Sequence, residues 1–337
     1  MKIFDDLAAQ VEKEWLKTEN NPDVFVELAT TALRKFKYDW AIEKFDSELK
    51  DWLIDRSALP HQMSVHNTFG QPSITFFNNG RFVVDLYIWV DFDTSIHSHG
   101  FRGAFRLLHG ESLQEIFHAP TVQNIAEDIR LVDLSKIEFA HLKQNDVQEI
   151  AAGVDLTHRV VHLANPTVTL CIKTINEPDL KQWNYLSTGL AIQKQNLSDD
   201  LVKKIYFYQY LLVRGEELAD QFLNSFLFGL NISTQIHVYE AVASGGLDLN
   251  ENTVGRLTES IVTRHEKSKW WPAYEKAHLD QMNEIRFEEF QKPLERMVAH
   301  FKNCGYNLAE IQKLDNISLD ELNRLAKWVE ATSQADQ

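Results

Sequence analysis

The sequence lacks the features that mark several specialised classes of protein. Its 337 residues include two cysteines, Cys171 and Cys304, too few and too far apart for a disulfide framework or a zinc ribbon. We therefore expect both to be structural thiols. No apolar run approaches the roughly 18 residues that a membrane helix needs. The start, MKIFDDLAAQVEKEWLK, carries acidic residues where a signal peptide would be apolar, so we expect a cytoplasmic protein.

Positive charge is also scarce. The chain has 34 Lys and Arg against 49 Asp and Glu, which gives a net charge of -15. Its average field therefore repels phosphate backbones and anionic lipids, so we expect neither nucleic acid nor a membrane as a partner. The 44% hydrophobic and 25% charged residues are typical of an ordered globular protein. The length indicates two domains, or one domain with large additions.

The hydrophobic pattern divides the chain into three segments. The pattern predicts an N-terminal helical segment over residues 1–55, a β-rich segment typical of a barrel or a sandwich over residues 56–194, and an all-helical domain over residues 195–337, so the predicted fold class is α+β. In the first segment apolar residues recur at helical spacing, at Phe4, Leu7, Ala8, Val11 and Trp15. The second contains short β-rich runs, such as SITFF, RFVVDLYIWV and VTLCIKT, separated by turn signals such as NNG.

Helix signals return in the third segment. Ser198 and the pair Ser318 and Glu321 have the sequence of helix N-caps. The stretch 272–303 has an apolar stripe that predicts one long helix, ending before Gly305. Because apolar stripes must be buried, we expect these helices to cover the barrel or to form a homodimer interface.

Two of the 13 histidines stand two positions apart in TSIHSHGFRGAFRLLHG, residues 94–110. Side chains at this spacing on a strand point to the same face of the sheet. His97 and His99 can therefore bind one metal ion. Two core or surface histidines would show the same spacing, because short motifs also match by chance.

The surrounding residues resemble the two motifs of the cupin superfamily. In the first motif an HxH pair is followed by an acidic residue and then by a glycine. His97, His99 and Gly110 match it, and Gly103 stands where the acid would be. The second motif contributes a histidine from a later strand, and His158 in THRVVH matches it without the usual Pro-x-Gly lead-in. The resemblance implies a double-stranded β-helix barrel with a metal on the three histidines.

Within the cupins, residues 75–175 are most similar to the cysteine dioxygenases. Similar pieces occur in the same order: NGRF before a strand ending in Trp89, then SIHSH, LLHG, and HRV before Pro166. This resemblance implies Fe2+ held by three histidines without a carboxylate ligand.

The same comparison contains departures from that family. In the animal enzymes a cysteine at the position of Gly103 is crosslinked to a tyrosine, whose place here is taken by Lys173. The family's additional histidine falls near Cys171, and its carboxylate-binding arginine falls near Pro72. The resemblance therefore implies the metal site but not specificity for cysteine.

These features together predict a metal-dependent cupin. The resemblance implies a non-haem iron(II) dioxygenase that acts on a small anionic substrate and dioxygen. Ni2+, Zn2+ and Mn2+ are alternative metals, because neutral imidazoles suit several ions. A cation held by neutral ligands keeps its full charge, which favours an anionic chelator. Two other functions stay open: an isomerase or lyase that uses the cation as a Lewis acid, and a non-catalytic ligand sensor whose helical domain binds a partner.

Four further residues near the motifs are candidates for the site. Arg102 follows the HxH pair and would hold a substrate anion as a bidentate fork; the alternative is a solvated loop arginine. His162 lies four residues after His158 and would act as a base beside the metal or as a fourth ligand; the alternative is a structural histidine. Tyr87 and Trp89 share one strand face and would line either the pocket or the core.

Overall fold

The computed structural model describes most of the chain. The described residues are 1–38, 41–55, 59–62, 70, 72–90, 94–175, 177, 180–195, 197–282, 290–315 and 317–335. Their contacts form two compact units, residues 1–118, 135–182 and 283–337 in the first and residues 119–134 and 183–282 in the second. None of the described helices is both long and apolar enough to cross a bilayer.

Eleven helices occur in the described part of the chain, with a 3-10 turn at Pro22–Val24. They are α1 (Lys2–Leu16), α2 (Phe25–Lys35), α3 (Ile42–Asp55), α4 (Asp199–Arg214), α5 (Glu216–Phe228), α6 (Ile232–Ala243), α7 (Glu251–His265), α8 (Trp271–Met282), α9 (Pro293–Asn303), α10 (Ala309–Leu314) and α11 (Leu319–Ala335).

Strands occupy the middle of the chain. They are β1 (Ser73–Asn78), β2 (Phe82–Trp89), β3 (Ile96–His99), β4 (Gly103–His109), β5 (Ser112–His118), β6 (Thr121–Asn124), β7 (Ile129–Val132), β8 (Ser135–Leu142), β9 (Val147–Ile150), β10 (Gly153–His162), β11 (Thr167–Thr174), β12 (Trp183–Tyr185) and β13 (Leu190–Gln193). The predicted change from helices to strands and back to helices is confirmed. Whether the segments 1–55, 56–194 and 195–337 fold as separate domains stays a prediction.

The first unit contains two curled antiparallel sheets. One has the strand order β1-β2-β11-β4-β9, and the other contains β3-β10-β5-β8. Their inner faces share a cluster of buried side chains drawn from both sheets: Tyr87, Trp89, Phe105, Leu107, Leu142, Ile150, Val160 and Cys171. Because side chains alternate along a strand, every second residue of these strands faces this interior.

Helices cover the outer faces of both sheets. Phe4, Trp15 and Phe25 of α1 and α2 pack in one cluster with Phe82 and Ala104 of the five-stranded sheet. On the other sheet, the outward side chains Leu113, Val161 and Leu163 pack with Met297 and Phe301 of α9 and with Leu322 and Val329 of α11. Burial of these apolar side chains is the main interaction that stabilises the packing of the helices on the sheets.

The second unit contains a small sheet and five helices. Its strands lie in the order β6-β7-β13-β12. Ile129, Leu190 and Ile192 of this sheet pack with Trp270, Trp271 and Tyr274. The remaining core lies among α4, α5, α6 and α7, and the predicted cap at Ser198 accepts a hydrogen bond from the Leu201 backbone N–H.

The prediction of one helix over 272–303 is wrong. The structure has α8 up to Met282 and a separate α9 that begins at Pro293, with Phe290 to Lys292 outside any helix. Proline disfavours helical backbone in the preceding residue and fits the first position of a helix, so Pro293 starts a new helix. The predicted stripe member Ile285 lies outside the described residues.

A buried ion network connects α9 to the outer face of the sheet that contains β5 and β10. Glu115 on β5 and Arg159 on β10 are register partners and form an ion pair whose carboxylate is fully buried. His300 of α9 places Nε2 3.2 Å from the second oxygen of Glu115. Burial alone would raise the pKa of Glu115, but the charges of His300 and Arg159 and their hydrogen bonds lower it to about 2. Burial and Arg159 oppose protonation of His300, yet Glu115 and Cys304 raise its pKa to about 9.

Candidate metal centre

Three histidines of the first unit converge between its two sheets. His97 and His99 alternate with Ser98 along β3, and His158 on the neighbouring β10 is the register partner of His97. An irregularity in the pairing between Gly153 and His158 lets β10 meet both histidines of β3. The predicted metal ligands are therefore brought together.

Their geometry suits a single cation. One nitrogen from each imidazole lies within 4.8 Å of the other two, and no other such group of histidine, cysteine or carboxylate ligands occurs among the described residues. The rings are 1%, 3% and 2% exposed for His97, His99 and His158. The Nε2 atoms of His99 and His158 lie 2.9 Å apart. Without a metal, one of these nitrogens can donate a proton to the other; when each ring carries its proton on Nδ1, both Nε2 atoms can bind one cation.

Hydrogen bonds orient the rings for this role. The Nδ1 of His97 lies 2.7 Å from the Ser95 carbonyl oxygen, so Nδ1–H donates and the Nε2 lone pair is available to a metal. The Nδ1 of His158 lies 3.1 Å from the side-chain amide of Gln114. The Oε1 of that amide is buried and has no hydrogen-bond partner among the described residues. If the amide is turned over, Oε1 accepts from Nδ1–H and leaves Nε2 of His158 free for the metal.

Burial keeps the site in the form that metals bind. Desolvation, followed by the neighbouring His97, lowers the pKa of His158 well below its usual 6.5. A metal binds the neutral imidazole, so no proton has to be displaced from His158 at neutral pH. The donor set, its burial and its protonation state all fit a first-row divalent ion.

The histidines line a cavity of about 50 Å³. Its other walls are mostly apolar and include Tyr87 and Trp89, for which the sequence left both the pocket and the core open. The remaining lining residues are Thr94, Phe101, Phe105, Ile150, Val160, His162, Thr169 and Cys171. None of these residues is a lysine, an arginine or a carboxylate.

His162 also faces this cavity, two strand positions beyond Val160. Its ring stacks on Trp89, with ring centres 4.3 Å apart, and its Nδ1 lies 3.0 Å from the Ser112 hydroxyl. It is not part of the group of three converging nitrogens. Burial lowers its pKa to about 3, so the ring is neutral near pH 7 and hydrogen-bonds without gaining a proton.

Arg102 does not line the cavity. Its guanidinium pairs with Glu177 and lies 3.4 Å from Asp23. Of the positions where the sequence departs from the cysteine dioxygenases, Cys171 is buried in the cavity wall. Lys173 lies behind that wall, with Nζ 2.7 Å from the Tyr87 hydroxyl and 3.3 Å from Asp85.

The close approach of two strands explains the glycine in place of the acid. A Cβ at Gly103 would lie 2.1 Å from the Ile172 carbonyl oxygen and 2.8 Å from the Lys173 Cα. Both atoms belong to the backbone of β11, which pairs with β4 at this point. No side chain, and hence no carboxylate ligand, fits at this position.

We expect Gly103→Ala to destabilise the protein by about 3 kcal/mol, because the added methyl group must push two hydrogen-bonded strands apart. The matched control is Gly255→Ala, because Gly255 lies inside α7 and a Cβ there meets no atom within 4 Å. That change should stabilise the protein by up to about 1 kcal/mol. Urea unfolding measures both, and equal stability of Gly103→Ala and the parent would contradict the tight strand pairing.

We expect the metal-free protein to be most stable near pH 6.5. The pKa of His300 is raised, so its full contribution to the free energy of unfolding, about 3 kcal/mol, is present below pH 6.5. That contribution is lost as the pH rises through 9. The pKa values of His162 and Glu115 are lowered, so their contributions to the free energy of unfolding are lost in acid. The contribution of His162 is complete above pH 6.5, and that of Glu115 above pH 4.5. Urea unfolding at a series of pH values measures this profile, and unchanged stability from pH 6.5 to 9 would contradict it.

Sequence reasoning missed Gln114 and Glu115. Both lie on β5, whose pairing with β10 places Gln114 beside Val160 and Glu115 beside Arg159. The only signal in the sequence was a polar pair inside the apolar run SLQEIF, which does not reveal its partners.

Comparison with known proteins gave matches among solved structures only; no family model and no curated protein matches this sequence. A protein from Thermus thermophilus is 20% identical over 33% of this chain and 90% of its own, with a TM-score of 0.23. Hydroquinone 1,2-dioxygenase from Sphingomonas sp. TTNP3 is 9% identical over 33% of this chain and 70% of its own, with a TM-score of 0.26. A cupin superfamily protein from Desulfitobacterium hafniense is 16% identical over 36% of this chain and 99% of its own, with a TM-score of 0.22. Similarity this weak assigns no reaction to the chain.

Proposed function

We propose that the β-rich part of the first unit is a cupin barrel that binds one divalent metal ion, Fe2+, on His97, His99 and His158, and that the protein is a dioxygenase for a small anionic substrate. The observation that supports this most is the convergence of three buried imidazole nitrogens at one cavity. When bound, the cation would supply the positive charge and the redox chemistry for a reaction between an anionic chelator and dioxygen.

The residues around the ligands hold them in place. Ser95 fixes the ring of His97 from behind, and Gln114, with its amide turned over, would do the same for His158; each contact keeps the ring proton on Nδ1 and turns Nε2 to the cavity. Because Gly103 leaves no space for an acid, the ligand set is neutral. The proposed site therefore attracts an anion instead of balancing the cation with a protein carboxylate.

The cavity walls narrow the substrate class. Among the described residues, no cationic or anionic side chain lines the cavity, so the ammonium and carboxylate groups of a free amino acid would lose water without gaining a partner from these walls. Beyond its chelating group, the substrate is therefore small and apolar. A β-diketone or a short hydroxy or keto acid with an apolar end has this character, and cysteine does not.

The two other predicted site residues take different proposed roles. We propose that the neutral His162, held by Ser112 and Trp89, contacts the bound substrate by a hydrogen bond. The predicted role of Arg102 as an anion anchor would require it to leave Glu177 and enter the cavity, so the substrate class above is proposed without it.

We expect the Fe2+-loaded protein to consume oxygen with at least one small apolar chelator, and to do so at least about tenfold more slowly with cysteine. A missing charge-assisted contact to a carboxylate costs roughly 1.5 to 3 kcal/mol, or one to two decades in affinity. An oxygen-electrode screen against β-diketones, hydroxy acids, keto acids and thiols measures both results.

His99→Ala and His118→Ala form a matched pair for this screen. His99 is one of the proposed ligands, whereas His118 is exposed at the end of β5, so only the first change should abolish oxygen uptake. Efficient turnover of cysteine would contradict the substrate class. Conversion of a substrate without oxygen would support an isomerase or lyase, and binding without turnover would support a ligand sensor.

A further inference from the structure

A second cluster of reactive side chains lies on the outer face of the sheet that contains β5 and β10. The histidine site lies on the opposite, inner face. Cys304 follows the last residue of α9 and lies beside the network of Glu115, Arg159 and His300. Alternation along β10 separates the two sites, since His158 faces the interior and Arg159 faces α9. The outer cluster is therefore independent of the proposed metal centre.

Two cationic groups surround the sulfur. The Nη2 of Arg159 lies 3.1 Å from Sγ of Cys304. His300, one helical turn earlier, places Nε2 and Nδ1 at 3.7 and 3.9 Å from the same atom. His300 is held in this position by Glu115, 3.2 Å away. A thiolate at Cys304 therefore has a guanidinium and an imidazolium as neighbours.

The groups facing Cys304 come from three elements. Arg159 on β10 and His300 on α9 favour the thiolate, whereas Glu115 on β5 opposes it. The neighbouring Tyr306 has its pKa raised, first by burial, so it is uncharged near neutral pH. Burial raises the pKa of Cys304, but the hydrogen bond and charge of His300, followed by Arg159, lower it overall.

The second cysteine of the chain provides an internal contrast. Cys171 is buried in the cavity wall, and burial raises the pKa of its thiol to about 12. Cys304 is partly exposed. A partly exposed cysteine whose sulfur lies among cations is the kind of cysteine that reacts with oxidants and electrophiles.

We propose that Cys304 is a reactive thiolate that hydrogen peroxide converts reversibly to a sulfenic acid. The sulfur attacks one oxygen of the peroxide, so an S–O bond forms while the O–O bond breaks, and the sulfur is oxidised by two electrons. The departing hydroxide takes a proton from His300 and leaves as water. A thiol reductant such as dithiothreitol returns the sulfenic acid to the thiol. The expectation that both cysteines are structural thiols then holds for Cys171 alone.

The test treats the purified full chain with hydrogen peroxide at neutral pH, traps sulfenic acid with dimedone, and maps both cysteines by peptide mass spectrometry. The trap should label the peptide that contains Cys304, and dithiothreitol added before the trap should prevent labelling. Labelling of Cys171 alone, or of neither cysteine, would overturn the proposal. No variant is needed for this step, so it does not depend on a mutant that folds.

A second measurement separates the role of the cations from simple exposure. Alkylation of Cys304 by iodoacetamide in the folded protein should reach half its maximal rate at a lower pH than in concentrated urea, and should be roughly tenfold faster near neutral pH. His300→Gln should remove most of this gain. Lys302→Gln is the matched control, because it removes a cation of the same helix that pairs with Glu330. An equal loss in both variants, or no gain over urea, would overturn the assigned role of His300.

Discussion

Replacing His158 by alanine is expected to remove most of the metal that the purified protein carries, which should be about one first-row ion per chain. Loss of a group that only supports a ligand lowers metal affinity by roughly 10- to 100-fold, so the loss of a ligand itself should exceed that. The change also removes one of the two nitrogens that lie 2.9 Å apart at the centre of the site. Metal analysis by mass spectrometry, after dialysis against a defined metal buffer, measures the occupancy.

His118→Ala is the control for that experiment, because it removes an exposed histidine from the adjacent strand β5 and should leave the metal content unchanged. Full occupancy in His158→Ala would mean that the third ligand is misassigned. In that case His162, which faces the same cavity, would be the next residue to replace.

Replacing Glu115 by alanine is expected to destabilise the fold by about 3 to 5 kcal/mol. The change leaves Arg159 and His300 facing each other without their counter-charge, and removal of one partner from a buried ion network typically costs this much. The carboxylate is fully buried, and the Arg159 side chain is only 13% exposed, so water cannot replace it. Urea unfolding near pH 6.5, where all three groups are charged, measures the loss.

Glu138→Ala provides the comparison for this variant. Glu138 lies on β8, which pairs with β5, and it is exposed, so its removal should change stability by no more than about 0.5 kcal/mol. A similar small loss for Glu115→Ala would show that the network does not hold α9 to the sheet. Loss of the raised pKa of His300 in the same variant would confirm the coupling between the two groups.

Local patterns in the sequence were sufficient to predict most of the helices and strands and the pair His97 and His99. The spacing of Phe4, Leu7 and Val11 fixed the buried face of α1, and two-residue spacing placed His97 and His99 on one side of β3. His158 came from the resemblance to the second cupin motif. In the structure His158 lies beside the other two histidines because β10 pairs with β3.

Features that depend on distant partners were not readable from the sequence. Nothing in the sequence shows that Arg102 pairs with Glu177, or that β11 approaches Gly103 too closely for a side chain. Residues 283–337 share a compact unit with the strands of the first half of the chain, but an apolar stripe does not identify the surface that buries it. The Glu115 network was missed for the same reason, because its members lie on three separate elements.

Crystals of the metal-loaded protein, measured at the absorption edge of the bound ion, test the central claim most directly. The proposed site predicts one anomalous peak between the two sheets, within about 2.0 to 2.3 Å of one nitrogen each from His97, His99 and His158. A peak bound by other residues, or no peak in protein that analysis shows to contain metal in solution, would contradict the proposed metal centre.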